Sequence, residues 1–308
     1  LGGGARSPLA RVLMVVQVAL SIVLLVGAGL FTRTLANLYR LDPGFERSGL
    51  LLFSLDAMAA GRNRAELAPL YTRIAERLSS LPGVTGVTYA QMPLLSGSRW
   101  TSGMFVPGYT PAPGENQNMV LNGVDPGYFA TYGLPLVLGR AFTARDDASA
   151  QKVVVINQAF ARKYFGDRSP VGHSIGFFGR EQKADLEIVG VVRDVKHASL
   201  REEPTPAVYL PFAQLRNARW GNFALRVRGD PTALGPLVQA AVREIDATLP
   251  VANLRTQDEQ LARMVTSERL FARLSAFFGG LALLLAGLGL YGLLSYQVVR
   301  RTGEIGLR

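Results

Sequence analysis

The stretch LSAFFGGLALLLAGLGLYGLLSYQVVRRTGEIGLR, residues 274–308, decides how the rest of this chain is read. From Leu274 to Val299 it carries no charge. At about 1.5 Å per residue, that run exceeds the roughly 20 residues needed to cross a hydrocarbon core of about 30 Å. Arg300 and Arg301 close it, as expected of a cytoplasmic helix end. The stretch therefore predicts a membrane helix over 274–299 and a cytoplasmic foot over 300–308. Within it, Gly287-Leu288-Gly289-Leu290-Tyr291-Gly292 has the glycine spacing of a dinucleotide-binding turn, but no strand precedes it and no acid for a ribose lies about twenty residues on. Ala282, Ala286, Gly289 and Gly292 instead place small residues at helical spacing, which lets a neighbouring helix approach closely in lipid.

The other end repeats the theme. Val12 to Phe31 is free of charge and follows Arg6 and Arg11, predicting a membrane helix over 12–31 after a cytoplasmic segment over 1–11. Gly27-Ala28-Gly29 would suit a signal peptidase, yet the apolar run is longer than the 7–15 residues or so of a signal core. Gln17, Ser21, Leu24 and Ala28 fall near one helical face and predict a face packed on another helix. Arg6, Arg11, Arg300, Arg301 and Arg308 are set against a single terminal acid, Glu304, so both ends are expected in the cytoplasm and residues 32–273 on the far side. The chain opens at Leu1 without methionine and stops just after a helix, which reads as a piece of a longer polypeptide.

Between the spans the pattern is α+β. After a stalk over 32–49, Leu50 to Leu55 reads as a strand, and Leu67, Leu70, Tyr71, Ile74, Leu78 and Leu81 recur at helical spacing behind the Asn63/Glu66 capping box. Val84 to Ala90 returns as a strand. The grammar recurs with Phe223 to Val227, the Asp230-Pro231 helix start, the stripe Leu234, Leu237, Val238, Ala241, Ile245 and Leu249, and Val251 to Arg255. These two units, 50–91 and 222–256, predict one discontinuous, split ferredoxin-like, porter-like lobe with an α/β lobe inserted over 92–221. The insertion opens in a Pro/Gly-rich stretch, Met92 to Asn118, expected as an exposed or mobile loop. Strands are expected at 153–156, 186–192 and 207–210, with a helix capped by Asn157. Thr256 and Glu259 then cap a stalk helix over 257–273 that contains Leu261, Met264, Val265 and Phe271.

Composition removes several kinds of chemistry. The 308 residues contain no cysteine, which excludes disulfides and thiolate zinc. The net charge of +10 is scattered, without the basic runs interleaved with aromatics that would suggest nucleic acid. Walker A and H-E-x-x-H motifs are absent. The two histidines, His173 and His197, lack a second ligand at useful spacing and read as surface or structural residues. The neighbours Asp146-Asp147, Glu202-Glu203 and Asp258-Glu259 diverge in direction on any regular element and read as caps or solvated faces. A non-enzymatic chain without cofactor or metal is expected. Trp100 and Trp220 are expected in polar or glycine-containing loops, where they are candidates for partner contact or ordinary packing.

Four stretches together resemble ABC transporter permeases of the MacB-like and FtsX-like type. They are Val124-Asp125-Pro126-Gly127-Tyr128-Phe129 with Gly139-Arg140 and Phe142; Val154-Val155-Ile156-Asn157 with Tyr164-Phe165 and Pro170-Val171-Gly172; Glu187-Ile188-Val189-Gly190-Val191-Val192; and Gly289-Leu290-Tyr291-Gly292 leading into Arg301-Thr302-Gly303-Glu304-Ile305-Gly306. Asp42-Pro43-Gly44-Phe45 further resembles the second half of duplicated permeases. The resemblance implies an inner-membrane efflux permease with a periplasmic core domain, which transmits motion across the membrane and does not pass substrate between its own helices. It implies as partners a separate or fused ABC ATPase, other membrane helices of the same or a second permease, the lipid membrane and a periplasmic adaptor protein. It also motivates a coupling role for Arg300, Arg301, Glu304 and Ile305. The other readings are a two-span sensor with a periplasmic ligand domain, an FtsX-like regulator of cell-wall hydrolases, and a lipoprotein-release permease.

Overall fold

The computed structural model describes the backbone of residues 8–178 and 183–305. Side chains are described within 12–295 apart from residues 13, 14, 35, 39, 179–182, 267, 268, 290, 293 and 294. The chain divides into two units, one formed by residues up to Leu41 and from Val265 onward, the other by Asp42–Met264.

The first unit is a helix pair, α1 (Pro8–Arg40) and α7 (Thr266–Ile305). Val15–Leu38 and Arg269–Gly289 are long and apolar enough to cross a membrane. Both helices outrun their expected limits. The polar residues after Phe31 are adequate helix formers, so the helix expected over 12–31 continues through half of the expected stalk and stops before Asp42-Pro43-Gly44. The stalk helix expected over 257–273 is instead split. Its first part, α6 (Gln257–Met264), ends before Val265, and Phe271 belongs to α7, which passes residue 274 without a break.

The second unit begins with β1 (Leu50–Leu55), α2 (Arg64–Ser79) and β2 (Val84–Ala90), and ends with β10 (Gly221–Val227), α5 (Gly235–Ile245), β11 (Ala252–Thr256) and α6. Strand order is β11-β1-β10-β2, each neighbour antiparallel. α2 buries Leu67, Tyr71, Ile74 and Leu78 against the inward side chains of the sheet, where Phe53 and Phe223 stack at 4.9 Å. This cluster contributes most of the local stability, because burying each large apolar side chain is worth about 1.5–3 kcal/mol. The stripe expected on α5 is corrected at one position. A 3-10 turn over Pro231–Leu234 precedes the helix and shifts its phase, so Leu237 faces solvent and Val242 takes its place in the core.

Between the two halves lie β3 (Trp100–Phe105), β4 (Asn118–Val124), α3 (Tyr128–Tyr132), β5 (Leu136–Gly139), β6 (Val153–Asn157), α4 (Gln158–Phe165), β7 (Ser174–Phe177), β8 (Leu186–Val192) and β9 (Ala207–Pro211). The pairings β4-β3-β7-β8-β6-β9 return to β4 through a parallel β4–β9 ladder, so these six strands close a ring. Val154, Ile156, Phe160, Ile188 and Val208 fill its core. β5 joins outside the ring on β8, where two chains cross so closely that a Cβ on Gly139 would lie 2.2 Å from the Val189 carbonyl and one on Gly190 2.3 Å from that of Arg140. The stretch expected as a loop from Met92 to Asn118 therefore contains a strand. Met104 of β3 is buried in the ring core, and the surrounding glycines and prolines concealed that alternation.

Candidate functional site

In the helix pair, polar atoms hold one face. Gln17 Nε2 donates to the Ala282 carbonyl at 3.3 Å, and the fully buried Ser21 donates to the Gln17 carbonyl at 2.7 Å. Ala28 and Ala286 are buried and Ala282 is half-buried, whereas Gly289 and Gly292 are exposed in this chain. Sequence reasoning missed Gly279, where an added Cβ would sit 3.2 Å from Leu25; the doublet Gly279-Gly280 was the available signal. Arg300, Arg301, Glu304 and Ile305 lie on helical backbone, but their side chains are outside the described residues.

Trp220 is 40% exposed, donates its indole N–H to Asp56 at 2.9 Å and lies 4.9 Å beneath the Arg219 guanidinium. Trp100 does not lie in a loop. It opens β3 and lines a cleft of about 740 Å³. A second cleft, of about 860 Å³, is walled by α2 and the 143–148 segment over a floor that includes Tyr89 and Phe212. Asp146, in that segment, is buried and takes a two-pronged hydrogen bond from Arg140 at 2.8 and 2.9 Å, consistent with a cap.

The two halves of this unit meet sparingly on the sheet, where β2 pairs β4 only at Ala90 and Val124. Asp125 reinforces the joint by accepting from the Thr88 hydroxyl, the Gly127 N–H at 3.1 Å and the Tyr89 N–H at 3.3 Å. Beyond it, residues 92–99 are gripped from two sides. Leu95, in a left-handed conformation at φ 52°, donates its N–H to the His197 carbonyl at 2.6 Å. On the other side, Leu94's carbonyl accepts from Gln260 Nε2 at 2.6 Å and Gln257 Nε2 at 3.4 Å. The reciprocal Thr256/Glu259 bonds, at 2.8 and 3.1 Å, start α6 in the phase that puts these glutamines, three residues apart, on one buried face.

Two buried titratable groups flank this joint and act in opposite senses. Burial pushes the Asp125 carboxyl up to about 6 against its three hydrogen bonds. Burial, with Arg99 nearby, pulls the His197 imidazole down to about 4, while its Nε2 lies 2.9 Å from the Tyr209 hydroxyl. The stability due to Asp125 is full at acid pH and is lost as pH rises through about 6; that due to His197 is full above its ordinary range and is lost as pH falls through about 4. Each is worth about 3 kcal/mol at about 1.4 kcal/mol per pH unit, and the two offset over this window. Asp125→Asn should therefore leave the fold more acid-sensitive, its Tm dropping about 5 °C further than the unsubstituted protein's between pH 6.5 and 4. Parallel Tm curves for the two proteins would refute this account.

Among known sequences, the family described as MacB-like periplasmic core domain matches residues 12–245. A Bacillus subtilis (strain 168) protein named uncharacterized ABC transporter permease YknZ is 25% identical over 200 residues, covering 63% of this chain and 49% of that protein. A macrolide export ATP-binding/permease protein MacB of Bradyrhizobium diazoefficiens is 27% identical over 202 residues, covering 63% of this chain and 30% of its own. The chain thus spans about half or less of the curated relatives it matches. Among solved structures, the periplasmic region of MacB from Actinobacillus actinomycetemcomitans aligns at TM-score 0.47 and 16% identity, over 72% of this chain and 94% of that one.

Proposed function

The chain belongs to the family of MacB-like periplasmic core domains, and from that premise we propose that it is the non-catalytic permease part of an ABC transporter. It couples ATP hydrolysis by a separate or fused ATPase to movement of an extracytoplasmic domain, in the direction of export. The names of the relatives, ABC transporter permease and macrolide export protein, support the class and the direction. In this reading both chain ends lie in the cytoplasm and Asp42–Met264 lies outside the inner membrane. The order β11-β1-β10-β2, built from two strand-helix-strand units, supports a split ferredoxin-like porter lobe at 50–91 and 222–256 with the strand ring inserted over 92–221. The cleft between α2 and the 143–148 segment leaves the two lobes room to close on one another.

The observation that carries the coupling role is the double glutamine grip on Leu94. It fastens α6, which runs into α7 after a single residue, to the segment joining the two lobes. At the cytoplasmic end, Glu304 follows Arg300 and Arg301 by four and three residues on continuous helix. A docking contact with the ATPase explains that acid better than local pairing, since an exposed ion pair adds only about 0.3–0.5 kcal/mol. In the full transporter, Glu304→Lys should lower export about tenfold by placing like charge where the ATPase docks, with membrane levels unchanged. Export at the unsubstituted rate, at normal membrane levels, would remove the coupling role from this segment.

A further inference from the structure

The cleft beside Trp100 has a chemistry that the transport reading does not use. Leu186 and Leu210 floor it, from β8 and β9. Aromatic side chains wall it: Trp100 from β3, and Phe177 and Phe178 at the end of β7, these two 36% and 44% exposed. Exposed phenylalanines side by side are unusual on a water-facing surface unless something covers them. The Phe178 ring is held in place, because it lies against Gly103, where an added Cβ would come within 2.7 Å of it.

Among the described residues, the charges in the cleft are one-sided. Lys152 and Asp185 neutralise each other at 2.5 Å. Lys183 and Arg216 also line the cleft, and neither has an ion pair among the described residues. Among the described residues, the result is an apolar, aromatic slot carrying two cations without an ion pair. At about 740 Å³ it is of the size that holds a drug-sized molecule.

We propose that this cleft is a binding site for organic anions with a flat apolar body, the body stacking among Trp100, Phe177 and Phe178 and the anionic group lying between Lys183 and Arg216. Stacking on aromatic faces selects a planar body, and Arg216 offers the paired donors that suit a carboxylate or sulfonate. A cationic or neutral ligand of the same shape gains the stacking and forfeits the charge pairing. The site discriminates by charge as well as by shape.

Trp100 and Trp220 are the only tryptophans, so Trp220→Phe leaves Trp100 as sole reporter. The full chain in phosphatidylcholine nanodiscs would be titrated with 4-nitrobenzenesulfonate, whose nitroaromatic ring quenches indole on contact. Saturable quenching is expected, weakening as salt rises, with neutral 4-nitrobenzyl alcohol binding about tenfold more weakly. The double variant Lys183→Glu, Arg216→Glu should weaken the sulfonate about tenfold and leave the neutral compound unaffected. If that variant does not fold, the comparison of anion with neutral compound in the otherwise unsubstituted chain still decides the matter. Quenching that rises linearly without saturation, or equal affinity for the two compounds, overturns the proposal. Neither readout requires the ATPase, so a failure of the transport reading would leave this test intact.

Discussion

A full transporter carrying Gln257→Leu together with Gln260→Leu should export about tenfold less than the unsubstituted protein while its ATPase still turns over. The carbonyl of Leu94 is buried and accepts from both glutamine side chains. Leucine is apolar, stops one atom short of the glutamine amide and cannot donate, so the carbonyl is left unsatisfied at a cost of about 1–3 kcal/mol. A domain of ordinary stability, about 5–15 kcal/mol, remains folded after that loss. What is lost is the hold of α6 on the segment between the lobes, the link on which the proposed coupling depends. Asp258→Ala is the control. It lies on the outward face of the same helix, exposed in a loose pairing with Arg47 at 3.8 Å, and should leave export unchanged. The decisive measurement is export relative to ATP hydrolysis in proteoliposomes. A double variant that keeps the unsubstituted ratio would show that the grip only stabilises the fold.

This grip also marks where sequence reasoning stopped. Elements set by local pattern were legible. β1, β2 and β8 have the residues that alternation and apolar runs assign them, and Asn157 caps α4 by accepting from the Phe160 N–H at 3.0 Å. The capping box before α6 was legible for the same reason, since its two residues are three apart. Its consequence was not. Gln257 and Gln260 meet a carbonyl more than 160 residues earlier, and no periodicity encodes a partner at that distance. Closure of the strand ring was hidden likewise, because β3 and β7 are short and glycine-bearing and pair with each other across a long separation, Met104 with Phe177. Asp125 falls between these cases. It stands in the stretch that carried the family resemblance, but its carboxylate's contact with Thr88 depends on how β2 meets β4. Of the face expected on α1, Gln17 and Ser21 were readable because polar atoms in lipid need partners, whereas the atom that Gln17 meets could not be read.

The helix pair gives the second large effect, and α7 contains its own control. An added Cβ at Gly279 would stand 3.2 Å from both Leu25 Cγ and Cδ2 and 3.3 Å from Leu24 Cβ. At the adjacent Gly280 it would meet nothing within 4 Å. In lipid, packing rather than hydrophobicity holds helices together, so a side chain that separates the backbones removes the main source of association. Gly279→Leu must push α1 away and stretch the bond from Gln17 to the Ala282 carbonyl, which is already long at 3.3 Å. Gly280→Leu gives the same helix the same gain in apolar surface without that collision. The chain has no native cysteine, so Gln17→Cys with Ala282→Cys can report the helix contact by oxidative cross-linking in native membranes. Yield should fall about tenfold with Gly279→Leu, the loss expected for about 1.4 kcal/mol of helix association, and remain near the parent value with Gly280→Leu. Equal yields in the two variants would mean that α1 and α7 are held by something other than the close approach at Gly279.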